Sequence, residues 1–436
     1  MQNLEKLIVR VEFIRVNYKM ETAIRQRWFR LGILNLVLVA IFGALMRYKT
    51  AYSFPYFNQS FLLHAHSHFA FAGWISHILY TGLIILISNY LDKSLLRKYK
   101  ALIILNLIAA YGMLIAFSVQ GYKAVSITFS TLSIFVSFFF VVFFIKDSKY
   151  IPKGTTFKPW TIVGLLVNVI SAVGPFSLAY LMASKNMNRD LTNSSIYFYL
   201  HFQYDGWFFF GSMALLVAML PKATPNLNKY LTVFALAIVP TYILSILWID
   251  LPQWLLTLAA LAAFAQLIAW VLMLSKIRNT LKLHKQTMKS SEINIFFYVA
   301  ALALTLKFLL QVLSANPGTG ALVFSCRPII IAYLHLILLG AFSMYLIAYG
   351  FYHNYYKTNS LAKIAFIYFF IGFFLNEILL VAQSSTWITL LPIPHINEFL
   401  FVAAFMLLLG AGLLLVSQLK RENNRNANAH AGIFKS

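Results

Sequence analysis

The chain has 436 residues, of which 61% are hydrophobic and only 11% charged, with a formal net charge of +23. An ordinary soluble domain carries about 25% charged residues, so this composition excludes one. The single cysteine, Cys326, excludes a disulfide framework, a cysteine-rich metal site and covalent haem attachment through a C-x-x-C-H motif.

The apolar residues fall in blocks of about 20 or more, long enough to cross a hydrocarbon core about 30 Å thick. The predicted elements are all α-helical. A basic arm, residues 1–28, lacks the uninterrupted apolar core of a signal peptide and reads as a retained cytoplasmic segment. Twelve spans follow, near 29–47, 62–90, 98–119, 123–145, 160–183, 195–220, 229–248, 252–275, 292–314, 328–352, 361–383 and 396–418. They form one membrane domain, 29–418. The polar tail 419–436 is expected to be disordered.

With both termini placed inside, 28 of the 35 Lys and Arg residues fall in the arm, the inner loops and the tail. Six (Arg47, Lys49, Lys123, Lys185, Arg189 and Arg327) fall outside, and Lys307 lies within a span. A single missed helix would invert every later loop, so this bias supports twelve spans with both termini cytoplasmic, as in an inner membrane. It also accounts for the net charge without nucleic acid; the partner is the lipid bilayer.

The second span opens "FLLHAHSHFAFAGWISHILY", with His64, His66, His68 and His77. On a helix, His64 and His68 share a face and His66 stands about 160° away. The sixth span carries His201 and the tenth His335. Each of these spans runs from outside to inside, and each histidine comes early, about 10 Å below the outer end at 1.5 Å per residue. The separations from His68 to His201 and from His201 to His335 are 133 and 134 residues. Imidazoles at one depth on three helices could converge on a metal or a haem iron. Alternatively each bonds a carbonyl of a neighbouring helix. Other polar groups gather near that level: Tyr204 and Asp205 below His201, Lys307 and Gln311 in span nine, Asn376 and Glu377 in span eleven. A lysine at such depth calls for a partner, Asp205 or Glu377; Tyr204, Asp205, Lys307 and Glu377 are also the candidates for proton or ion transfer.

Twelve helices and histidines on the second, sixth and tenth resemble subunit I of the haem–copper oxidase and nitric oxide reductase superfamily. The His-rich second helix also resembles that of the NnrS haem–copper proteins. The resemblance implies three arcs of four helices. It implies a b-type haem with His64 or His68 and His335 as ligands, and a copper or non-haem iron held in part by His201; by helical position alone, His66 and His77 are either a second, metal contact or structural hydrogen bonders. Three positions depart from the superfamily pattern: Tyr333 and Ile337 flank His335 where a second histidine would stand, span seven has no histidines, and Asp205 stands four residues after His201. Any oxidoreductase centre would therefore be degenerate. The implied roles are respiratory electron transfer, with a cytochrome or quinol donor, or nitric oxide handling. A transition-metal or proton-coupled transporter is the other reading, to which Pro175 and Pro240 would contribute helix breaks.

Overall fold

The computed structural model describes residues 2–419 except 186–187, 222–223, 284–289, 317, 319, 321–325 and 390, and does not describe the side chains of 2–21, 93–94 and 387–389. The expected tail, from residue 420, lies outside the described residues. The described residues contain no strand and form twelve helical segments. These are α1 (Gln2–Ala51), α2 (Gln59–Ile87), α3 (Lys93–Gln120), α4 (Ala124–Asp147), α5 (Phe157–Ala183) and α6 (residues 189–219). Then come α7 (residues 228–245), α8 (Gln253–Leu283), α9 (Ser291–Ser314), α10 (Arg327–Tyr352), α11 (Ser360–Thr389) and α12 (Ile396–Leu419).

Ten of these are long and apolar enough to cross a membrane, so the chain is an all-α polytopic membrane protein. The other two are α6 and α7, which explains the difference from twelve. Gln203, Tyr204 and Asp205 dilute the apolar character of α6. In α7 the α-helical part, Asn228–Thr241, has 14 residues and tightens into a 3-10 turn two residues after Pro240. Proline has no N–H to give the ladder. The same cause breaks α5 at Ala172, three residues before Pro175.

Chain neighbours pack against each other, and α1 packs on α12 to close the bundle. The groups α1–α4, α5–α8 and α9–α12 each send their second helix to the centre, where α2, α6 and α10 meet. Each of these three contains a π-helical stretch: Ala70–Ser76, Phe202–Phe208 and Leu336–Ser343. π-Helices are rare and concentrate at functional sites. The three begin within two residues after His68, His201 and His335, and each holds a glycine five residues after its histidine: Gly73, Gly206 and Gly340. The structure thus turns the positional repeat of the histidines into a local motif, His-x4-Gly, followed by Trp74 and Trp207 in the first two copies.

Those tryptophans tie the centre together. The Trp207 indole donates to Ser76 Oγ at 2.9 Å, linking α6 to α2, and the Trp74 indole donates to Ser343 Oγ at 2.8 Å, linking α2 to α10. In motif terms, the residue six after the histidine bonds the residue eight after the histidine of the neighbouring copy. The third link would run from Ala341 to Phe209. Neither can make it, and the contact there is apolar, with Phe208 edge-on to Phe342 at 5.8 Å. Gly206 is required by close approach: a Cβ there would overlap Val167 on α5.

Ser76→Ala leaves the buried Trp207 N–H unpaired and is expected to lower stability by about 1–3 kcal/mol. The readout is the thermal unfolding midpoint in detergent; an unchanged midpoint would show that the central bond contributes nothing.

Candidate functional site: two polar chambers in the bundle

The imidazoles do not converge on one point. They divide among four places: His64 with His68, His77 alone, His66 with His335, and His201. His64 and His68 share a face and turn to α3 and the loop after it. His68 stacks on Phe117 with ring centroids 4.4 Å apart, and its Nε2 lies 2.9 Å from Tyr122 Oη; His64 meets the Tyr122 ring edge-on at 4.6 Å. His77, lower in α2, bonds the Trp28 carbonyl through Nε2 at 3.0 Å.

His66 faces the other way, toward a polar cluster, the first chamber, formed with residues of α1, α10 and α11 that lie within electrostatic reach of one another. Its Nδ1 donates to the Val39 carbonyl at 3.0 Å. Gly43 on α1 makes room for the ring, since a Cβ there would come within 3.3 Å of His66 Cε1. His335 is the second imidazole of this chamber, and its Nδ1 donates to the Ile331 carbonyl one turn earlier at 2.8 Å. His335 lies within the electrostatic reach of both Arg47 and His66. Arg47 and Glu377 also act on each other across the chamber, yet no ion pair joins them among the described residues. Glu377 instead accepts from Asn376 at 3.1 Å. Sequence geometry split the histidines of α2 correctly, but the expected haem partners of His335, His64 and His68, point away from it. His66, expected as a second, metal contact or a hydrogen bonder, is the residue that shares its chamber.

The second chamber lies between α6, α7, α8, α9 and α10. Asp205 forms an ion pair with Lys307, and its other oxygen lies 3.2 Å from His201 Nδ1. This is one of the two pairings expected for Lys307; Glu377 is not its partner. The ammonium also donates to Gln311 Oε1 at 2.5 Å, and Gln311 passes the chain to Gln266 at 3.1 Å. Tyr204 and Tyr333 border the group with ring centroids 6.3 Å apart. Asp205 sits four residues after His201, which places both on one face of α6. His201 Nε2 donates to the Ile238 carbonyl at 2.8 Å, in the stretch where Pro240 disturbs α7. Both ring nitrogens of His201 are therefore engaged by protein atoms. Among the described residues no group of three or more His, Cys, Asp or Glu side chains is placed to hold a metal ion.

The two chambers differ in what they leave available. The second is internally satisfied: one carboxylate meets one ammonium and one imidazole, and two amides complete the ring. In the first, each imidazole is oriented by a carbonyl bond at Nδ1. No hydrogen bond reaches either Nε2 among the described residues, and Arg47 stands beside them without a direct carboxylate contact. Carbonyl bonding at Nδ1 fixes the tautomer that leaves a lone pair on Nε2, the usual preparation of a ligand histidine.

Sequence reasoning missed Arg47, which was assigned to the outer loop but sits in the last turns of α1. Its signal is the spacing of Gly43 and Arg47, four apart and so on one helical face. Gln266 gave no signal, being a lone amide in an alanine-rich span.

Fold and site together define a class: a polytopic all-helical membrane protein whose central helices repeat a histidine, π-turn and glycine motif around two buried polar chambers. No protein-family model matches the chain, and no curated protein is significantly similar to it in sequence.

Lys307→Met strands the Asp205 charge in the bundle and is expected to cost about 3–5 kcal/mol, whereas Lys307→Met with Asp205→Leu recovers most of it. Thermal unfolding of both variants checks this. A double variant no more stable than the single one would contradict a simple ion-pair role.

Proposed function

We propose that this chain is a haem-binding membrane protein that carries electrons in a respiratory membrane, with His66 and His335 as the residues that would hold the iron. The observation that carries the reading is the shared preparation of these two imidazoles: both belong to the first chamber, and both bond backbone carbonyls through Nδ1. Two imidazoles and an arginine are the kinds of donor a b-type haem uses. Two neutral imidazoles would hold the iron, and Arg47 would pair with the propionates. Such a group, when bound, supplies one-electron transfer. Two histidine ligands would suit the group to electron transfer rather than to nitric oxide handling.

The same reading places the protein in a cell's inner membrane with both termini cytoplasmic, on the distribution of Lys and Arg. A cytochrome or a quinol is the donor class. A copper or non-haem iron is not part of the proposal, because His201 is committed to Asp205 and Ile238. One observation favours the second reading, a proton-coupled carrier: the chain of His201, Asp205 and Lys307 joins a titratable imidazole to a buried ion pair.

The purified protein is expected to show a Soret band that shifts on reduction, and a pyridine haemochrome of the b type. His335→Ala and His66→Ala should each remove or shift the band, and His201→Ala should leave it. A colourless, iron-free protein would sink the haem reading and leave the carrier.

A further inference from the structure

A long opening lies away from both chambers. It is a cavity of about 1150 Å³ between α6, α8, α9 and α10. Its lining runs from Trp270 to Lys282 on α8 and from Ala341 to Tyr352 on α10. At 1.5 Å per residue these walls are about 18 Å and about 17 Å long. The cavity is therefore a slot along the helix axes, about as deep as one leaflet of a hydrocarbon core about 30 Å thick. Val271 and Tyr298 line it and are 49% and 64% exposed on the outside of the bundle, so the slot opens sideways, where lipid lies.

The slot is polarised along its length. Its deep part is apolar, lined by Val271, Leu274, Leu304 and Phe342. Its other end lies where α6, α8 and α10 finish and α9 begins, and it carries Arg278 and Lys282. These two are four residues apart and so share one face of α8. No acidic residue lines the slot, and among the described residues neither cation has a carboxylate within ion-pair distance. Glu292, the acidic residue in the first turn of α9, is paired with Lys363 at 3.1 Å. Two cations thus stand at the mouth of an apolar slot with their charge uncompensated by the protein.

We propose that the slot is a binding site for one anionic phospholipid, with its phosphate at Arg278 and Lys282 and its acyl chain running inward past Leu274. The ligand repeats the polarity of the slot: a negative head whose oxygens only accept hydrogen bonds, then an apolar chain about as long as one leaflet is deep. A basic side chain near the membrane surface attracts anionic lipid, and two on one face act on the same phosphate. A zwitterionic phospholipid brings an ammonium to the same two cations and loses that attraction. The slot fixes where the head sits, because position and not charge alone separates these cations from their neighbour. Lys276 lies on the same helix, but its ammonium is 6.0 Å from the Tyr230 ring on α7 and it does not line the slot. A bound lipid joins α8 to α10 across the opening, so the stability of the bundle follows the anionic lipid content of the membrane. The site is independent of haem.

The test uses the full chain in a non-ionic detergent, stripped of lipid. It is titrated with phosphatidylglycerol and with phosphatidylcholine of the same acyl chains, and bound lipids are counted by native mass spectrometry. The first phosphatidylglycerol should bind about 30-fold more tightly than phosphatidylcholine, each cation contributing about fivefold. Arg278→Ala and Lys282→Ala should each lose about fivefold, and the double variant should bring the two lipids level. Lys276→Ala should keep the full preference. Leu274→Trp, which fills the slot, should weaken the binding of both lipids. Thermal melts confirm that each variant is folded. The proposal is overturned if the wild type binds neither lipid or binds both equally, or if Lys276→Ala costs as much as Arg278→Ala. It is also overturned if Leu274→Trp binds phosphatidylglycerol as the wild type does, since the head would then be held at the surface without the slot.

Discussion

Two buried indole-to-hydroxyl bonds, Trp207 to Ser76 and Trp74 to Ser343, hold the three central helices to one another, and the rest of the bundle is arranged about them. In a bilayer, apolar contact between helices gains little over contact with lipid, so close packing and interhelical hydrogen bonds must supply the specificity. Here both occur within the same short segments. A π-turn inserts an extra residue into the helix and rotates its later part relative to its earlier part. In α2, His64, His66 and His68 lie before that turn, Trp74 and Ser76 lie within it, and His77 follows it. One helix thus sends its polar groups outward to the chambers and its indole inward to the centre.

The chambers lie between this centre and the surrounding helices, and they solve the burial of charge in opposite ways. Around Asp205 every strong donor meets an acceptor within the protein, and the group can serve as a fixed strut between α6 and α9. Around His335 the backbone orients the imidazoles but leaves their outer nitrogens facing the chamber, with Arg47 and Glu377 kept apart. Unpaired polar groups at membrane depth are expensive, and proteins keep them where a site needs them.

Much of the fold could be read from the residues. The apolar blocks place the helices in order and most of their ends to within a few residues, because the hydrocarbon thickness fixes the crossing length, but α1 begins at Gln2, well before its block, and α8 runs on to Leu283. The helical step of about 200° between His64 and His66 separates the faces of α2. The depth of Lys307 demands a carboxylate, and Asp205 supplies it. The features that could not be read depend on neighbours. Whether the pair His64 and His68 or the single His66 meets α10 depends on which flank α1 and α3 occupy, and one sequence does not say. Arg47 looked like a loop residue because hydropathy ends a span at the first charge, while the helix itself continues to Ala51. The repeat "HFAFAGW" and "HFQYDGW" was visible in the letters, but its meaning required the π-turns and the indole bonds between copies.

The haem reading stands or falls on His66, rather than His64 or His68, as the partner of His335. The most direct test is the electron paramagnetic resonance spectrum of the oxidised protein. It should show a low-spin ferric signal typical of two imidazole ligands, lost in His66→Ala and retained in the His64→Ala, His68→Ala double variant. A low-spin signal that survives His66→Ala, and disappears when His64 or His68 is removed, would contradict it.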